Sequence, residues 1–183
     1  PESPFLVAPA SAGLPYAQRD FADAGWASVR VPHDWGVDTS FSYDKPFFDA
    51  YLSPNGVGWY RRELAIPANA ADSRFFLDVD GAMSYAMVWI NGHFVGGWPY
   101  GYTSFRVELT PHLQPGGKNV LAVRVENPTD SSRWYTGAGL YRNVWLVRAA
   151  PLHIGHRGVT VTTPSISAEQ AEVAVQVTVL NRT

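Results

Sequence analysis

Ser132-Arg133-Trp134-Tyr135-Thr136-Gly137-Ala138-Gly139-Leu140-Tyr141-Arg142-Asn143-Val144-Trp145-Leu146-Val147 is the stretch that decides the reading of this chain. Its second half, Tyr141 to Val147, alternates like a strand buried on at least one face. Its first half cannot be plain strand. Gly137 and Gly139 flank a single alanine, and glycines so placed mark special backbone angles or a close approach. Ahead of the bend stand a guanidinium and two large rings, Arg133, Trp134 and Tyr135.

The segments around this stretch read as strand after strand. Tyr60, Leu64 and Ile66 share one parity. Phe75, Leu77 and Val79 alternate with Phe76, Asp78 and Asp80, and Ala86, Val88 and Ile90 alternate with Tyr85, Met87 and Trp89. Asn91-Gly92 between two apolar runs predicts a two-residue hairpin, because such a turn needs positive φ at both central positions. Phe105, Val107 and Leu109 form another strand, and Val120 to Val125 and Val144 to Val147 complete the set. Trp59, Trp89 and Trp145 lie in strands and are read as core. Thr110-Pro111-His112-Leu113 reads as one helical turn with Thr110 as cap and Pro111 at its first position. Short strands with frequent turn signals and no ordinary amphipathic helix before residue 166 predict an all-β, jelly-roll-like sandwich.

Three segments are less regular. Residues 1–20 read as an irregular arm. Residues 36–58 form a long loop holding Phe41, Tyr43, Phe47, Phe48 and Tyr51, unusual unless functional or pinned by its own rings. Pro151 marks a boundary that divides the chain into a domain over 1–151 and a shorter unit over 152–183. In that unit Val173, Val175, Val177 and Val179 share one face and predict a half-buried strand. Two strands do not make an independently stable sheet in water, where about three or more are needed, so the unit is read as the truncated start of a second domain.

Composition narrows the function classes. Of 183 residues, 46% are hydrophobic and 14% aromatic, so a sizeable core is expected and disorder is not. The net charge of -2 and the scattered placement of twelve arginines and two lysines argue against a nucleic-acid partner. No cysteine is present, which excludes disulfides, zinc-thiolate sites and thiol catalysis. The histidines show no metal-ligand spacing, Gly96-Gly97 and Gly116-Gly117 lack the features of phosphate loops, and no cofactor is expected. No apolar run reaches the ~18 residues of a membrane helix, and no membrane partner is expected. Pro1 is not an initiator methionine, so a processed chain or a cloned piece is expected, and a periplasmic or secreted location is favoured over the cytoplasm.

A charged group beside aromatic faces on a rigid loop suits a sugar. Rings stack on the apolar face of a pyranose, and the charge hydrogen-bonds its hydroxyls. The Arg133 stretch also resembles the Ser-Arg-Trp-Tyr-x-Gly-x-Gly-(Ile/Leu)-Tyr-Arg segment of the family 2 glycoside hydrolases, the β-galactosidase and β-glucuronidase group. Three further segments resemble the same domain in the same order. They are Phe21 to Trp26 with Val31-Pro32-His33-Asp34-Trp35, then Gly58-Trp59-Tyr60-Arg61-Arg62, then Trp89-Ile90-Asn91-Gly92 to Gly101-Tyr102. The resemblance spans roughly residues 20–150 and implies the N-terminal sugar-binding β-sandwich, with residues 152–183 opening an immunoglobulin-like domain.

The resemblance also implies where the chemistry lies. Retaining glycoside hydrolysis needs two carboxylates about 5 Å apart, and in the family both are glutamates on a downstream (β/α)8 barrel. Glu2, Glu63, Glu108, Glu126, Glu169 and Glu172 match nothing in that catalytic motif, so no catalytic residue is assigned and the chain by itself is expected to be inactive. The His33-Asp34 pair has no activated serine beside it in sequence and is read as structural. Arg133 takes the place of a residue that in several family members reaches into the barrel pocket and bonds sugar hydroxyls; some branches carry Asp there, so an Arg implies a different geometry and sugar preference. The alternative is a structural arginine paired with Asp130 or with another domain. Asn55, three residues before Gly58, matches a loop asparagine that touches sugar in some β-galactosidases, and an ordinary Ser-Pro-Asn-Gly turn is its alternative. Trp134 and Tyr135 could supply the ring platform or wedge against the barrel. The expected partners are a terminal β-linked sugar, a galactoside first, and the downstream barrel of the same parent chain. A homo-oligomer is left open. β-Glucuronidase and β-mannosidase parents, a free-standing carbohydrate-binding module and a purely structural or dimerising domain stand as alternatives.

Overall fold

The computed structural model describes residues 14–129 and 131–182. Most of the expected irregular arm, and Asp130, lie outside them. Nine strands make up the described fold: β1 (Gly56–Ala65), β2 (Arg74–Val79), β3 (Ala86–Ile90), β4 (His93–Trp98), β5 (Phe105–Glu108), β6 (Lys118–Asn127), β7 (Val144–Ala149), β8 (Leu152–Ile166) and β9 (Ala171–Asn181). They pair antiparallel throughout, as a four-stranded sheet β1-β6-β3-β4, a three-stranded sheet β5-β2-β7, and a hairpin β8-β9.

The expected alternation sets the core. Phe75, Leu77 and Val79 of β2 face Val88 and Ile90 of β3, with Leu64, Val107, Leu121, Val123 and Val125 buried in the same cluster. Each such side chain contributes about 1.5–3 kcal/mol by leaving water, which makes this two-sheet contact the main stabilising element. The opposite parity of β3 is also covered. Trp89 is 0% exposed in a smaller cluster with Ala17, Ala122, Trp59 and Phe94 on the outer face of the larger sheet. The Asn91-Gly92 hairpin forms as expected, with φ of 52° and 84° at its two central residues.

Four details differ from the sequence expectation. The last strand of the sandwich begins at Val144, three residues after Tyr141, because the chain is still leaving the glycine bend and pairs with β2 only from Val144↔Val79 onward. Trp145 is not core: it is 54% exposed. Its register partner is Asp78, so it lies on the polar outer parity of the sheet, where its indole donates to Asp80 at 3.1 Å. Thr110 does not cap its turn. The turn spans Thr110–His112 with Leu109 as the preceding residue, and the Thr110 hydroxyl instead accepts the Phe75 amide at 2.8 Å. The valine face of β9 is not half-buried. Val173, Val175, Val177 and Val179 are 46–60% exposed, because no second layer lies over the β8-β9 ribbon among the described residues.

The long loop is pinned by its rings. Phe41, Tyr43 and Tyr51 meet edge to face, all with centroids 5.2 Å apart. Backbone hydrogen bonds such as Ser42 to Tyr51, at 3.0 Å, close it further.

Candidate functional site

The glycine bend is built around Asp34. One carboxylate oxygen accepts the backbone amides of Gly36 at 2.9 Å and Ala138 at 3.0 Å. The Tyr135 hydroxyl donates to the same carboxylate, at 2.8 and 2.9 Å from its two oxygens. Burial, reinforced by that hydrogen bond to Asp34, holds the Tyr135 phenol protonated well above the usual tyrosine range. Asp34 thereby fixes a loop about a hundred residues away in sequence.

The two glycines do different work. Gly137 and Gly139 both have positive φ, 79° and 91°. A Cβ on Gly137 would meet nothing nearer than Asp34 at 3.4 Å, whereas one on Gly139 would strike the Tyr60 hydroxyl and sit 2.9 Å from the Trp35 ring. Gly139 also exchanges backbone hydrogen bonds with Met83, at 2.9 and 3.1 Å. The bend is therefore held from both sides before it feeds β7.

Asn127, the last residue of β6, joins this bend to the loop before β1. It is 1% exposed, and its amide nitrogen lies 3.1 Å from Pro54 O, 3.2 Å from Thr136 Oγ1 and 3.2 Å from Gly137 O. Trp35 donates to the same Pro54 carbonyl at 2.9 Å. The segments that carry Asn55 and Arg133 thus converge on one buried amide. Asn55 itself donates to the buried Asp49 carboxylate at 3.1 Å.

Each expected site residue has a distinct environment. Arg133 is exposed and has no hydrogen bond or ion pair among the described residues. Asp130, its alternative partner, lies outside those residues. Trp134 is 58% exposed, and its indole donates to the Tyr102 hydroxyl at 2.9 Å. The Tyr135 hydroxyl is committed to Asp34, leaving its ring as the part free for contact. Asn55 borders an open groove of about 840 Å³ with Trp26, His33, Trp35, Trp59 and Arg61, and the Arg133 loop does not line it. His33 has both ring nitrogens engaged, with Tyr60 at 2.8 Å and Asp38 at 3.1 Å, which suits its structural reading. Among the described residues no group of three or more His, Cys, Asp or Glu could hold a metal ion, and no helix is long and apolar enough to cross a membrane.

Sequence reasoning missed Asp34 as the anchor, Asn127 as the joint and Tyr102 as the support of Trp134. The Pro-His-Asp-Trp segment pointed at Asp34, but nothing local to Asn127 or Tyr102 marks their partners.

Residues 5–150 match the profile of glycosyl hydrolases family 2, sugar binding domain. The chain is 43% identical over 171 residues to Beta-galactosidase BoGH2A of Bacteroides ovatus, covering 92% of this chain and 20% of that protein. It is 34% identical over 163 residues to a putative beta-glucuronidase of Formosa agariphila, covering 87% and 16%. Among solved structures it superposes on a beta-glycosidase from Bacteroides vulgatus with a TM-score of 0.85 at 32% identity, covering 94% of this chain and 23% of that one. The chain spans about a fifth of the length of these relatives. It belongs to the sugar-binding domain family of the family 2 glycosyl hydrolases.

Proposed function

We propose that this chain is the non-catalytic sugar-binding part of a retaining, exo-acting β-galactosidase, and that its 133–138 loop completes the subsite for the terminal sugar. The observation that carries this reading is Arg133: a guanidinium with no partner among the described residues, next to a bend held by Asp34 and Asn127. A cation presented on a pre-ordered loop forms directional, charge-assisted hydrogen bonds to hydroxyls with little ordering cost. Trp134 offers a ring face beside it, Tyr135 positions the loop, and Asn55 contributes from the neighbouring loop that shares Asn127. The catalytic carboxylate pair belongs to the rest of the parent protein, as does the barrel that closes the subsite. Residues 152–183 then form the first hairpin of a second, immunoglobulin-like domain, a reading supported by the uncovered valine face of β9.

A second reading, a β-glucuronidase parent, is favoured by the same residue. A guanidinium without a partner among the described residues suits the carboxylate of a glucuronate, and relatives named beta-glucuronidase are among the matches. One experiment separates the two: hydrolysis of nitrophenyl β-galactoside and nitrophenyl β-glucuronide by the full-length parent and by this chain alone. The reading predicts an inactive chain and a parent that prefers the galactoside. Preference for the glucuronide would transfer the subsite to that sugar, and activity in the chain alone would overturn the non-catalytic assignment.

A further inference from the structure

We propose that Trp134, Tyr102 and Tyr100 form a stacking row that binds a galactoside chain beyond its terminal sugar. The inference rests on the reading above, in which Arg133 receives that terminal sugar. The three rings are linked. Trp134 donates to the Tyr102 hydroxyl at 2.9 Å, and Tyr102 meets Tyr100 with ring centroids 5.6 Å apart at 67°. The row faces water: Trp134 is 58% and Tyr100 57% exposed.

The segment beneath is held in place. The Tyr141 hydroxyl donates to Gly101 O at 2.8 Å, Arg142 to Tyr102 O at 3.3 Å and the Trp98 indole to Thr103 at 2.8 Å. Gly101 lies so close to the Met83 side chain that a Cβ there would clash. Such a platform loses little freedom when a ligand lands on it.

The chemistry of the surface selects the ligand. Galactopyranose presents the C–H groups of C3, C4 and C5 on one face, an apolar patch that lies against an aromatic ring. Ring faces with polar edges suit a ligand that is apolar on one face and hydroxylated at its rim. Residues 98–104 and 131–136 contain no Val, Leu or Ile, and their exposed large side chains, Tyr100 and Trp134, are aromatic. Arg133, the residue assigned to the terminal sugar, directly precedes Trp134 in the chain.

The test is titration of this chain with galactose and with β-1,4-galactotetraose, following the Trp134 indole N–H resonance, assigned with Trp134→Phe. The row predicts that the tetrasaccharide shifts that resonance and binds at least about threefold more tightly than galactose. Tyr100→Ala should abolish that advantage, and Tyr100→Phe, which keeps the ring, should preserve it. Equal affinity for the two sugars, an unmoved Trp134 resonance, or an advantage that survives Tyr100→Ala would overturn the proposal. Arg133→Ala in the full-length parent reports on the underlying reading separately, since it should lower kcat/KM on nitrophenyl β-galactoside. If it does not while the Tyr100 result holds, the terminal-sugar reading fails and the row stands.

Discussion

Replacing Asp34 with alanine removes the acceptor on which the site loop hangs. Two of its hydrogen bonds reach across the fold, from Ala138 at 3.0 Å and from Tyr135 at 2.8 Å. The third, from Gly36, is local. Hydrogen bonds to a charged acceptor are worth about 1.5–3 kcal/mol each. The two long-range bonds together set a loss of about 3–6 kcal/mol if the donors stay buried, and of about 3 kcal/mol if water reaches the vacated space. Ala138 is 0% exposed, which favours the larger cost for its amide. Asp34→Asn keeps one neutral acceptor and should lose about 1–2 kcal/mol. Urea unfolding followed by tryptophan fluorescence gives these differences directly, and the alanine variant should also melt about 6 °C or more below the parent sequence. In a double-mutant cycle with Tyr135→Phe the losses should be strongly non-additive, because both substitutions break one bond. A loss below about 1 kcal/mol for Asp34→Ala would refute the claim that this carboxylate holds the loop.

Other consequences follow from the same geometry. Gly139→Ala combines a positive φ with a Cβ driven into the Tyr60 hydroxyl and the Trp35 ring, and should cost about 2–4 kcal/mol in urea unfolding, against about 1–2 for the uncrowded Gly137→Ala. Burial pushes the Tyr60 phenol from 10.0 up to about 12, so the folded state keeps a proton that the unfolded chain loses. Its contribution to stability is full below pH 10 and lost as pH rises to about 12. Tyr60→Phe should make that alkaline limb shallower, leaving the share of the other raised phenols such as Tyr135, and an unchanged limb would show that the Tyr60 phenol does not contribute to it. Trp89→Ala should cost about 3–5 kcal/mol, while Trp145→Ala, on the outer face, should cost about 1 kcal/mol or less. Comparable losses at the two positions would contradict the placement of Trp145.

The parts of the fold that were legible in the sequence were those with a local period. The alternation in β2 and β3 and the Asn91-Gly92 turn depend on near neighbours, so short-range pattern sufficed to find them. Trp145 shows the limit. A large ring in a strand is usually buried, but which parity of β7 faces the core is set by its register with β2, sixty-five residues earlier at Val144↔Val79. Thr110 shows another, since its hydroxyl found a distant backbone amide instead of its own turn. At the site, the glycine pair announced a special bend, while its anchor Asp34 stands 104 residues before Ala138 and Asn127 ties the bend to Pro54, 73 residues away, pairings that no local pattern records. The strand β9 forms where its alternation predicts, but the expected half-burial of its valine face depends on a second layer that the described residues do not supply.

The most direct test of the central claim is Arg133→Ala in the full-length parent, measured as kcat/KM on nitrophenyl β-galactoside. If the guanidinium bonds the terminal sugar, the substitution should lower kcat/KM by about 30-fold, or about 2 kcal/mol of transition-state binding, with the unfolding midpoint little changed, since Arg133 has no partner to lose among the described residues. A kcat/KM within about twofold of the parent enzyme would contradict the account and leave Arg133 outside the subsite.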